Sequence, residues 1–350
     1  MTIELLSKDL EEQYTDFILG FDKSLFYHSL LFRDFVKEYL GHKDHYFLAI
    51  SNNKIVGVLP SFLSATSIGN CLNSLPFFGS NGGLIVQEKD SEEIKKHLLK
   101  AFYDLAEEKD CITSTLINSP FEDHTDVYKS YQPDFYDRRI GQITEIPQDG
   151  EDIEEKLLYS FSAFTRRMIR KAMKNEVVVE KSGAPDTFQF IKDSHVINME
   201  NIGGKEKPKD FFDYVGKSFE FDRDYTLWIA YHDKKPVASL LLFYFNNTVE
   251  YYVPTIIKEY RSIQPLSLII FKAMADASKK GFKYWNWGGT WPEQEGVYHF
   301  KRKWNARNIP YQHFIKVHNK EIYDYSREQV ERAFPYFYVI PFDKLNSSHS

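Results

Sequence analysis

The sequence predicts an α/β protein in which one folding unit occurs twice, each copy being a mixed, mostly antiparallel sheet flanked by helices. Three observations support this prediction. The 350 residues are enough for about two domains. A β-hairpin pattern at residues 47–59 recurs at residues 228–240. A helix and then a short strand follow each hairpin, which is the element order of a sheet covered by helices.

Each predicted hairpin has two strands of apolar and β-branched residues joined by a polar turn. The turn of the first hairpin is Asn52-Asn53, and the second hairpin follows at an offset of 181 positions. The two segments align without a gap, placing Ala49 on Ala230, Lys54 on Lys235, Val56 on Val237 and Leu59 on Leu240. A repeat this long indicates duplicated domains rather than a solenoid.

The helix and strand that follow each hairpin form the second part of the repeat. We expect helices over residues 91–109 and 265–280, and strands over 111–116 and 282–287. In the second helix the apolar residues are three or four positions apart, as in a helix that packs on a sheet. They are Leu266, Ile269, Ile270, Ala273, Met274 and Ala277.

Turn-rich residues 146–150 mark the expected domain boundary. We therefore expect a first domain over 1–150, a second over 151–317, and a C-terminal segment over 318–350 that packs back on the first domain. A single helix is expected from 153 to 175, with Phe161 and Phe164 on its apolar face. The aromatic residues 334–341 are strand-like in pattern.

The composition excludes several classes of protein. With 44 basic and 50 acidic side chains the formal net charge is -6, so we expect no DNA partner. Two cysteines cannot form a disulfide framework or a zinc site, and no metal site is expected. The first residues lack the features of a signal peptide, and the apolar runs are too short to span a bilayer. We expect a cytoplasmic protein, with peripheral contact to the inner membrane face left open.

A basic helix is the first candidate site. The helix ending at Asn175 carries Arg166, Arg167, Arg170, Lys171 and Lys174 with no acid among them. Guanidinium groups bind phosphates bidentately, which makes a phosphate-bearing substrate the natural partner. A solvated basic face that balances the acids at the helix start is the alternative.

Residues 284–304 are the second candidate site. A strand ends in Gly288-Gly289, which permits a tight turn and close approach of a ligand to the backbone. A helix begins near Glu295 and presents Phe300 and Lys301. Four of the five tryptophans of the chain fall in this stretch. They form either a groove that stacks against substrate or a buried aromatic corner.

Together these motifs resemble the Fem family of aminoacyltransferases, which build peptidoglycan cross-bridges, and the wider group of duplicated GNAT-type acyltransferases of cell-envelope biosynthesis. The resemblance rests on Arg-Arg-Met-Ile-Arg-Lys-Ala at 166–172, Gly-Gly-Thr at 288–290, and Phe-Lys-Arg at 300–302 with Trp304 beyond it. Weaker matches are residues 26–32 and Pro-Phe-Phe-Gly at 76–79. The resemblance covers nearly the whole chain and implies tandem GNAT-like domains.

The resemblance also implies a reaction and its residues. An amine of a nucleotide- or lipid-linked precursor, either a peptide stem or an amino sugar, attacks an activated acyl carbon to form an amide. Lys301 and Phe300 would act at the reacting centre, with Lys301 stabilising the oxyanion. Glu200, Glu293, Glu295, His299 or the substrate itself would take the proton. Substrate binding would fall to His28, Arg33, Arg166, Arg170, Lys171, Tyr252, Gly288, Gly289, Thr290, Trp291 and Arg302.

The acyl donor follows from the loop at 260–265. CoA-dependent GNAT enzymes usually have glycines there, whose N–H groups hold the pyrophosphate. This loop has no glycine and ends in Pro265, which removes a donor. We therefore expect aminoacyl-tRNA as co-substrate and no permanently bound cofactor. Acyl-CoA as donor and a non-catalytic GNAT-like binding module remain the alternatives.

Overall fold

The chain forms two compact units in a computed structural model that describes residues 1–74, 82–87, 91–148 and 152–345. The first unit comprises Met1–Ile140 and Ile309–Ser350, and the second comprises Gly141–Asn308. The boundaries expected from the sequence, at 150 and 317, differ from these because two long strands are shared between the units. These strands are β9 (Phe135–Glu145) and β15 (Arg307–Val317).

The first unit contains the N-terminal helices and short strands. Its helices are α1 (Glu11–Leu19), α2 (Leu30–Leu40), α3 (Ser91–Glu108), α4 (Thr125–Lys129) and the C-terminal α11 (Arg327–Ala333). Its strands are β1 (Thr2–Leu5), β2 (Lys43–Asp44), β3 (Phe47–Ser51), β4 (Lys54–Leu59), β5 (Phe62–Thr66), β6 (Gly69–Asn73), β7 (Ile85–Val86) and β8 (Cys111–Ile117). One sheet has the order β1-β3-β4-β7, and β15, β8, β6, β5 and β2 are neighbours in another, in which β6 and β8 are parallel.

The second unit has longer strands. Its helices are α5 (Ile153–Ser160), α6 (Ala163–Lys174), α7 (Pro185–Ile202), α8 (Lys209–Ser218), α9 (Pro265–Lys279) and α10 (Glu295–Arg302). Its strands are β10 (Val178–Lys181), β11 (Tyr225–His232), β12 (Lys235–Phe245), β13 (Thr248–Ile256) and β14 (Tyr284–Thr290), paired in that order. All these pairs are antiparallel except β13 and β14, which run parallel.

The predicted hairpin repeat is present in both units with the same irregularity. The turn residues Asn52 and Asn53 have φ of 50° and 57°, and Asp233 and Lys234 have φ of 50° and 62°. Positive φ at both central residues is the turn that suits a two-residue hairpin. A register shift follows Ala49 in the first hairpin and Ala230 in the second. The offset of 181 therefore relates the turns and the bulges alike.

The expected single helix from 153 to 175 is wrong, because the chain breaks between α5 and α6. Phe161 has an extended backbone, and the Ser162 hydroxyl accepts a hydrogen bond from the Thr165 N–H, which starts a new helix. Because of the break, the apolar residues of α5 and α6 do not lie on one continuous face. Phe161 is buried in the core of the second unit, whereas Phe164 is 44% exposed.

The strand-like segment at 334–341 does not form a strand. Its two prolines, Pro335 and Pro341, lack the N–H that a strand ladder needs, and Tyr336 has φ of 64°. The segment packs instead as irregular chain. Phe334, Phe337 and Ile340 join Cys71 and Ile112 in an apolar cluster of the first unit.

Helix α9 organises the core of the second unit. Leu268, Ile269 and Met274 are almost fully buried and share one apolar cluster with residues of α6, β12 and β14. This cluster fixes α9 against the sheet, as the three- and four-residue spacing predicts. No helix in the described ranges is long and apolar enough to cross a membrane.

The first hairpin depends on a glycine where the second has Ala238. A Cβ placed on Gly57 would lie 2.5 Å from Ile94 Cγ2, so Gly57→Ala should lower the free energy of unfolding by about 1–3 kcal/mol. Urea denaturation measures this. Gly296→Ala is the matched control, because that site has nothing within 4 Å and alanine favours a helix by up to about 1 kcal/mol. Equal stability of the Gly57 variant and the wild type would contradict this packing.

Candidate active site

The strands β13 and β14 separate partway along their length. Their parallel pairing joins Thr248–Glu250 with Tyr284–Asn286, but β13 continues to Ile256 and β14 continues to Thr290. Beyond Glu250 and Asn286 the two strands therefore form no residue pairs with each other. The region between the unpaired parts of the two strands is called the strand gap below.

Strand β13 is irregular after its last pair with β14. Tyr252 is the extra residue of a bulge in the pairing with β12, since Tyr251 and Val253 pair with consecutive residues of β12. Farther along, the N–H and C=O of Ile256 are bonded to the Asn198 side chain at 3.1 and 3.0 Å. Backbone groups alternate between strand edges, so Pro254 presents its nitrogen, which has no hydrogen, to this same edge.

Lys301 lies against the end of β14. Its Nζ donates to the Thr290 hydroxyl at 2.7 Å, to the Gly289 carbonyl at 3.3 Å and to the Gly288 carbonyl at 3.5 Å. Only 5% of the residue is exposed. Burial disfavours the charged amine and lowers the pKa of Lys301 to about 7. Near neutral pH the amine therefore exists in both protonation states.

The glycine turn is what allows this enclosure. Gly288 has φ of 71°, a conformation that residues with a Cβ adopt rarely. The Gly288 N–H donates to the Asn286 side-chain oxygen at 3.0 Å. The consecutive carbonyls of Gly288 and Gly289 then accept hydrogen bonds from the Lys301 amine. The Gly-Gly-Thr motif is thus the part of the chain that binds this amine.

Aromatic rings pack around Phe300, the residue that precedes the lysine in the chain. Phe300 is half-buried with its ring 6.1 Å from that of Trp287 and 6.3 Å from that of Trp304. The Trp287 N–H donates to the Thr144 hydroxyl, which itself donates to the Trp304 carbonyl. Trp285, Trp287 and Trp304 are at most 2% exposed, and Trp291 is 47% exposed. Three of the four tryptophans thus form a buried corner, and the fourth, Trp291, is partly exposed.

Helix α6 presents a cationic face. Arg167, Arg170, Lys171 and Lys174 are exposed, and α6 contains no acidic residue. Arg166 differs, because it is half-buried and its guanidinium donates to the Phe161 carbonyl at 2.6 Å. Its role is at least partly to tie the two helices across the break. The other cations remain available to a phosphate-bearing ligand.

A small pocket lies between α6, the start of α9 and the end of α10. It encloses about 270 Å³, part of it open to solvent, and is lined by Phe164, Thr165, Met168, Gln264, Ser267, Phe300, Lys303 and Trp304. Gln264 caps α9 with φ of 63°, and Pro265 occupies the first turn. The Lys303 amine is 4.2 Å from the centre of the Phe164 ring. Three aromatic rings, one thioether, three uncharged polar side chains and one amine therefore line the pocket.

The structure groups some of the predicted residues and leaves others apart. Lys301, Gly288, Gly289 and Thr290 are in direct contact, and Phe300 adjoins them. Glu200 is an exposed residue of α7, and no described hydrogen bond or ion pair joins it to this group. The Arg302 guanidinium donates to the Ala306 carbonyl at 3.1 Å. The Tyr252 ring stacks on Phe211 at 5.9 Å.

The two predicted binding residues of the first unit are enclosed by protein. His28 is fully buried, its Nδ1 accepts from the Leu25 N–H, and burial lowers its pKa to about 4. Arg33 is 6% exposed and forms ion pairs with Glu11 and Asp34 at 2.8 Å. Both side chains are committed to the fold of this unit. The motif at 76–79 lies outside the described residues.

Two residues at the head of the strand gap have no motif in the sequence. Glu250 and Asn286 are buried and hydrogen-bonded to each other at 2.9 Å. The available signal is Glu250 itself, a carboxylate in the middle of an otherwise uncharged strand, since such residues are seldom fully buried without a partner. Among the described residues, no group of three or more potential metal ligands is present.

Comparison with known proteins identifies the fold. Residues 160–302 match the family model described as acetyltransferase (GNAT) domain. The structure of FemX is similar over 93% of this chain and 99% of its own, with a TM-score of 0.72 and 13% identity. The C-terminal domain of a putative lysylphosphatidylglycerol synthetase from Agrobacterium fabrum covers 88% and 92%, with a TM-score of 0.53 and 12% identity.

A tandem GNAT protein from the clavulanic acid biosynthesis pathway covers 89% of this chain and 97% of its own, with a TM-score of 0.53 and 10% identity. No curated protein sequence matches the chain. At these identities the structural matches establish the fold and not the activity. The predicted α/β tandem GNAT-like fold and the resemblance to Fem-type proteins in fold are thereby confirmed.

The burial of Lys301 predicts its titration. In protein labelled with ¹³C-lysine, NMR should show two side-chain signals with midpoints near pH 7, those of the buried amines of Lys301 and Lys207, against about 10.4 for ordinary lysines. Lys301→Arg assigns the Lys301 signal by its disappearance. Lys279→Arg, at the exposed end of α9, should remove only a signal with an ordinary midpoint. A Lys301 midpoint near 10 would show that the amine is solvated.

Proposed function

We propose that the chain is an N-acyltransferase that moves an aminoacyl group from aminoacyl-tRNA to an amine of a nucleotide- or lipid-linked cell-envelope precursor. The acyltransferase part is supported by the GNAT fold. The observation that carries the proposal is the Lys301 amine, held by the Gly288–Thr290 backbone and hydroxyl at the end of the strand gap. The amine is buried and its pKa is lowered to about 7, and perturbed pKa values of this kind are typical of groups that take part in reactions.

The reaction requires few protein groups. The acceptor amine attacks the carbonyl carbon of the aminoacyl ester, a C–N bond forms, and the C–O bond to the terminal ribose breaks. The ribose oxygen leaves with a proton, and the attacking amine loses one. In its charged form, Lys301 donates to the oxygen that becomes negative in the tetrahedral intermediate. An α-amino acceptor with a pKa near 8 is about one tenth unprotonated at pH 7, so a strong base is not essential.

CoA and tRNA differ in the protein groups that each would need for binding. CoA would need N–H groups at the start of α9, where Pro265 has none, and along β13, where Pro254 has none. The exposed cations of α6 instead suit a polyphosphate backbone. These features support aminoacyl-tRNA as the donor.

The acceptor assignment rests on the resemblance to Fem-type proteins. Those proteins build peptidoglycan cross-bridges, so the proposal assigns this chain to the cytoplasm, at the inner face of the membrane. Trp291, exposed directly after Thr290, gives a flat ring on which a sugar or peptide group of the acceptor can pack. Peptide stem and amino sugar are both acceptors of the required chemistry.

A transfer assay tests the proposal. Total tRNA charged with ¹⁴C-labelled amino acids is incubated with the protein and with UDP-linked muropeptide or amino-sugar precursors, and label in the precursor is measured. Acetyl-CoA with the same acceptors tests the competing donor. Label transferred only from the thioester would replace tRNA by CoA, and tight binding without transfer from either donor would indicate a non-catalytic module.

Lys301→Met should lower kcat about a hundredfold, since loss of one oxyanion donor has roughly that cost. Methionine retains most of the buried aliphatic volume, so KM for the acceptor should stay within about threefold. Lys279→Met, at an exposed helix end, is the matched control and should leave both constants unchanged. A Lys301→Met enzyme with wild-type kcat would remove the lysine from the chemistry.

The cationic face of α6 should control tRNA affinity. Replacing Arg167, Arg170 and Lys174 by alanine removes three exposed cations, and each lost phosphate contact should reduce the slope of log Kd against log salt by about one. Filter binding at several salt concentrations measures the slope. The control removes the same charge from exposed Lys96, Lys100 and Lys129 of the first unit. The same slope in both triple variants would contradict a tRNA contact at α6.

A further inference from the structure

Glu250 and Asn286 occupy the last paired positions of β13 and β14, directly where the strands separate. Both are almost completely buried, with 2% and 1% of their surface exposed. A carboxylate is expensive to bury, and an apolar pair of similar size would usually serve the sheet as well or better. Their presence at this position calls for a reason beyond stability.

The Asn286 amide links the carboxylate to the glycine turn. Its nitrogen donates to Glu250 Oε2 at 2.9 Å, and its oxygen accepts from the Gly288 N–H at 3.0 Å. Only one of the two amide orientations makes both bonds, because rotation by 180° would set the amide oxygen against the carboxylate and the amide NH₂ against the N–H. The carboxylate therefore determines the orientation that receives Gly288.

The glycine turn, held in this position, determines the surroundings of Lys301. With its N–H held by Asn286, Gly288 keeps φ of 71°, and the carbonyls of Gly288 and Gly289 accept from the lysine amine. The path from Glu250 through Asn286 and the turn to Lys301 consists of hydrogen bonds and one short stretch of backbone. Each bond fixes the direction of the next group.

We propose that Glu250 and Asn286 are positioning residues that hold the glycine turn in the form that directs the Lys301 amine toward the strand gap. They act through the turn and do not touch the substrate. The proposal rests on the proposed function of Lys301, but the arrangement itself can be tested without any substrate. The alternative role is a purely structural one, closure of the sheet at the head of the gap.

Two substitutions of Glu250 separate these roles. Glu250→Gln keeps an oxygen that accepts from Asn286, whereas Glu250→Leu removes the acceptor at similar volume. In Glu250→Leu, amide hydrogen exchange at Gly288 followed by NMR should be at least tenfold faster, and the Lys301 signal should shift. Glu250→Gln should remain within about threefold of wild type. Thr248→Val, in the same strand pair and fully buried, is the matched control and should change neither quantity.

Kinetics provides the second readout. In the transfer assay, Glu250→Leu should lower kcat by tenfold or more with KM within about threefold, and Glu250→Gln should restore most of the loss. Asn286→Asp, which loses the donor to Glu250, should behave like Glu250→Leu and replaces it if that variant does not fold. If the wild type transfers no label, the proposed function fails. The exchange data on Gly288 still show whether Glu250 and Asn286 hold the glycine turn.

Unchanged exchange at Gly288 and an unchanged Lys301 signal in folded Glu250→Leu or Asn286→Asp would overturn the proposal. The proposal would also be overturned if Glu250→Gln and Glu250→Leu lowered kcat by the same factor. An oxygen at position 250 that accepts a hydrogen bond from Asn286 would then make no difference. A loss of stability with wild-type kcat would establish the purely structural role.

Discussion

The separation of two parallel strands is the constraint on which the second unit depends. Pairing between β13 and β14 stops at Glu250 and Asn286. Beyond that point the Asn198 side chain binds the backbone of Ile256 in β13, and the glycine turn at the end of β14 binds Lys301. The part of β13 beyond Glu250 is thus not paired with β14, and the buried Lys301 amine lies against the end of β14.

Duplication supplied the framework, and the two copies have diverged at this point. The hairpins share their turn and bulge at the same offset, but the parallel pairs differ. In the first unit β6 pairs with β8 from Asn70 to Asn73, which takes the ladder to the end of β6. The Gly-Gly-Thr turn and the lysine belong to the second unit. One copy therefore carries the glycine turn and the buried lysine, and the other contributes a related sheet.

Regular patterns explain what the sequence could predict. Repeated hairpins, the helix spacing of α9 and the Gly-Gly-Thr and Phe-Lys motifs depend on neighbours along the chain, and each is found where expected. The break at Ser162 depends on a hydroxyl cap that competes with continuing the helix. The pairing of Glu250 with Asn286 joins residues 36 apart, and the burial of Trp285, Trp287 and Trp304 is decided by tertiary packing. Such contacts leave no local pattern.

A structure of the protein with an aminoacyl-adenosine in which an amide replaces the ester would test the central claim most directly. This compound carries the terminal nucleoside and acyl group of the proposed donor but cannot transfer it. The account predicts that the acyl carbonyl lies in the strand gap with its oxygen about 3 Å from Lys301 Nζ. A ligand whose carbonyl is bound outside the gap, with Lys301 still enclosed by Thr290 and the turn carbonyls, would contradict it.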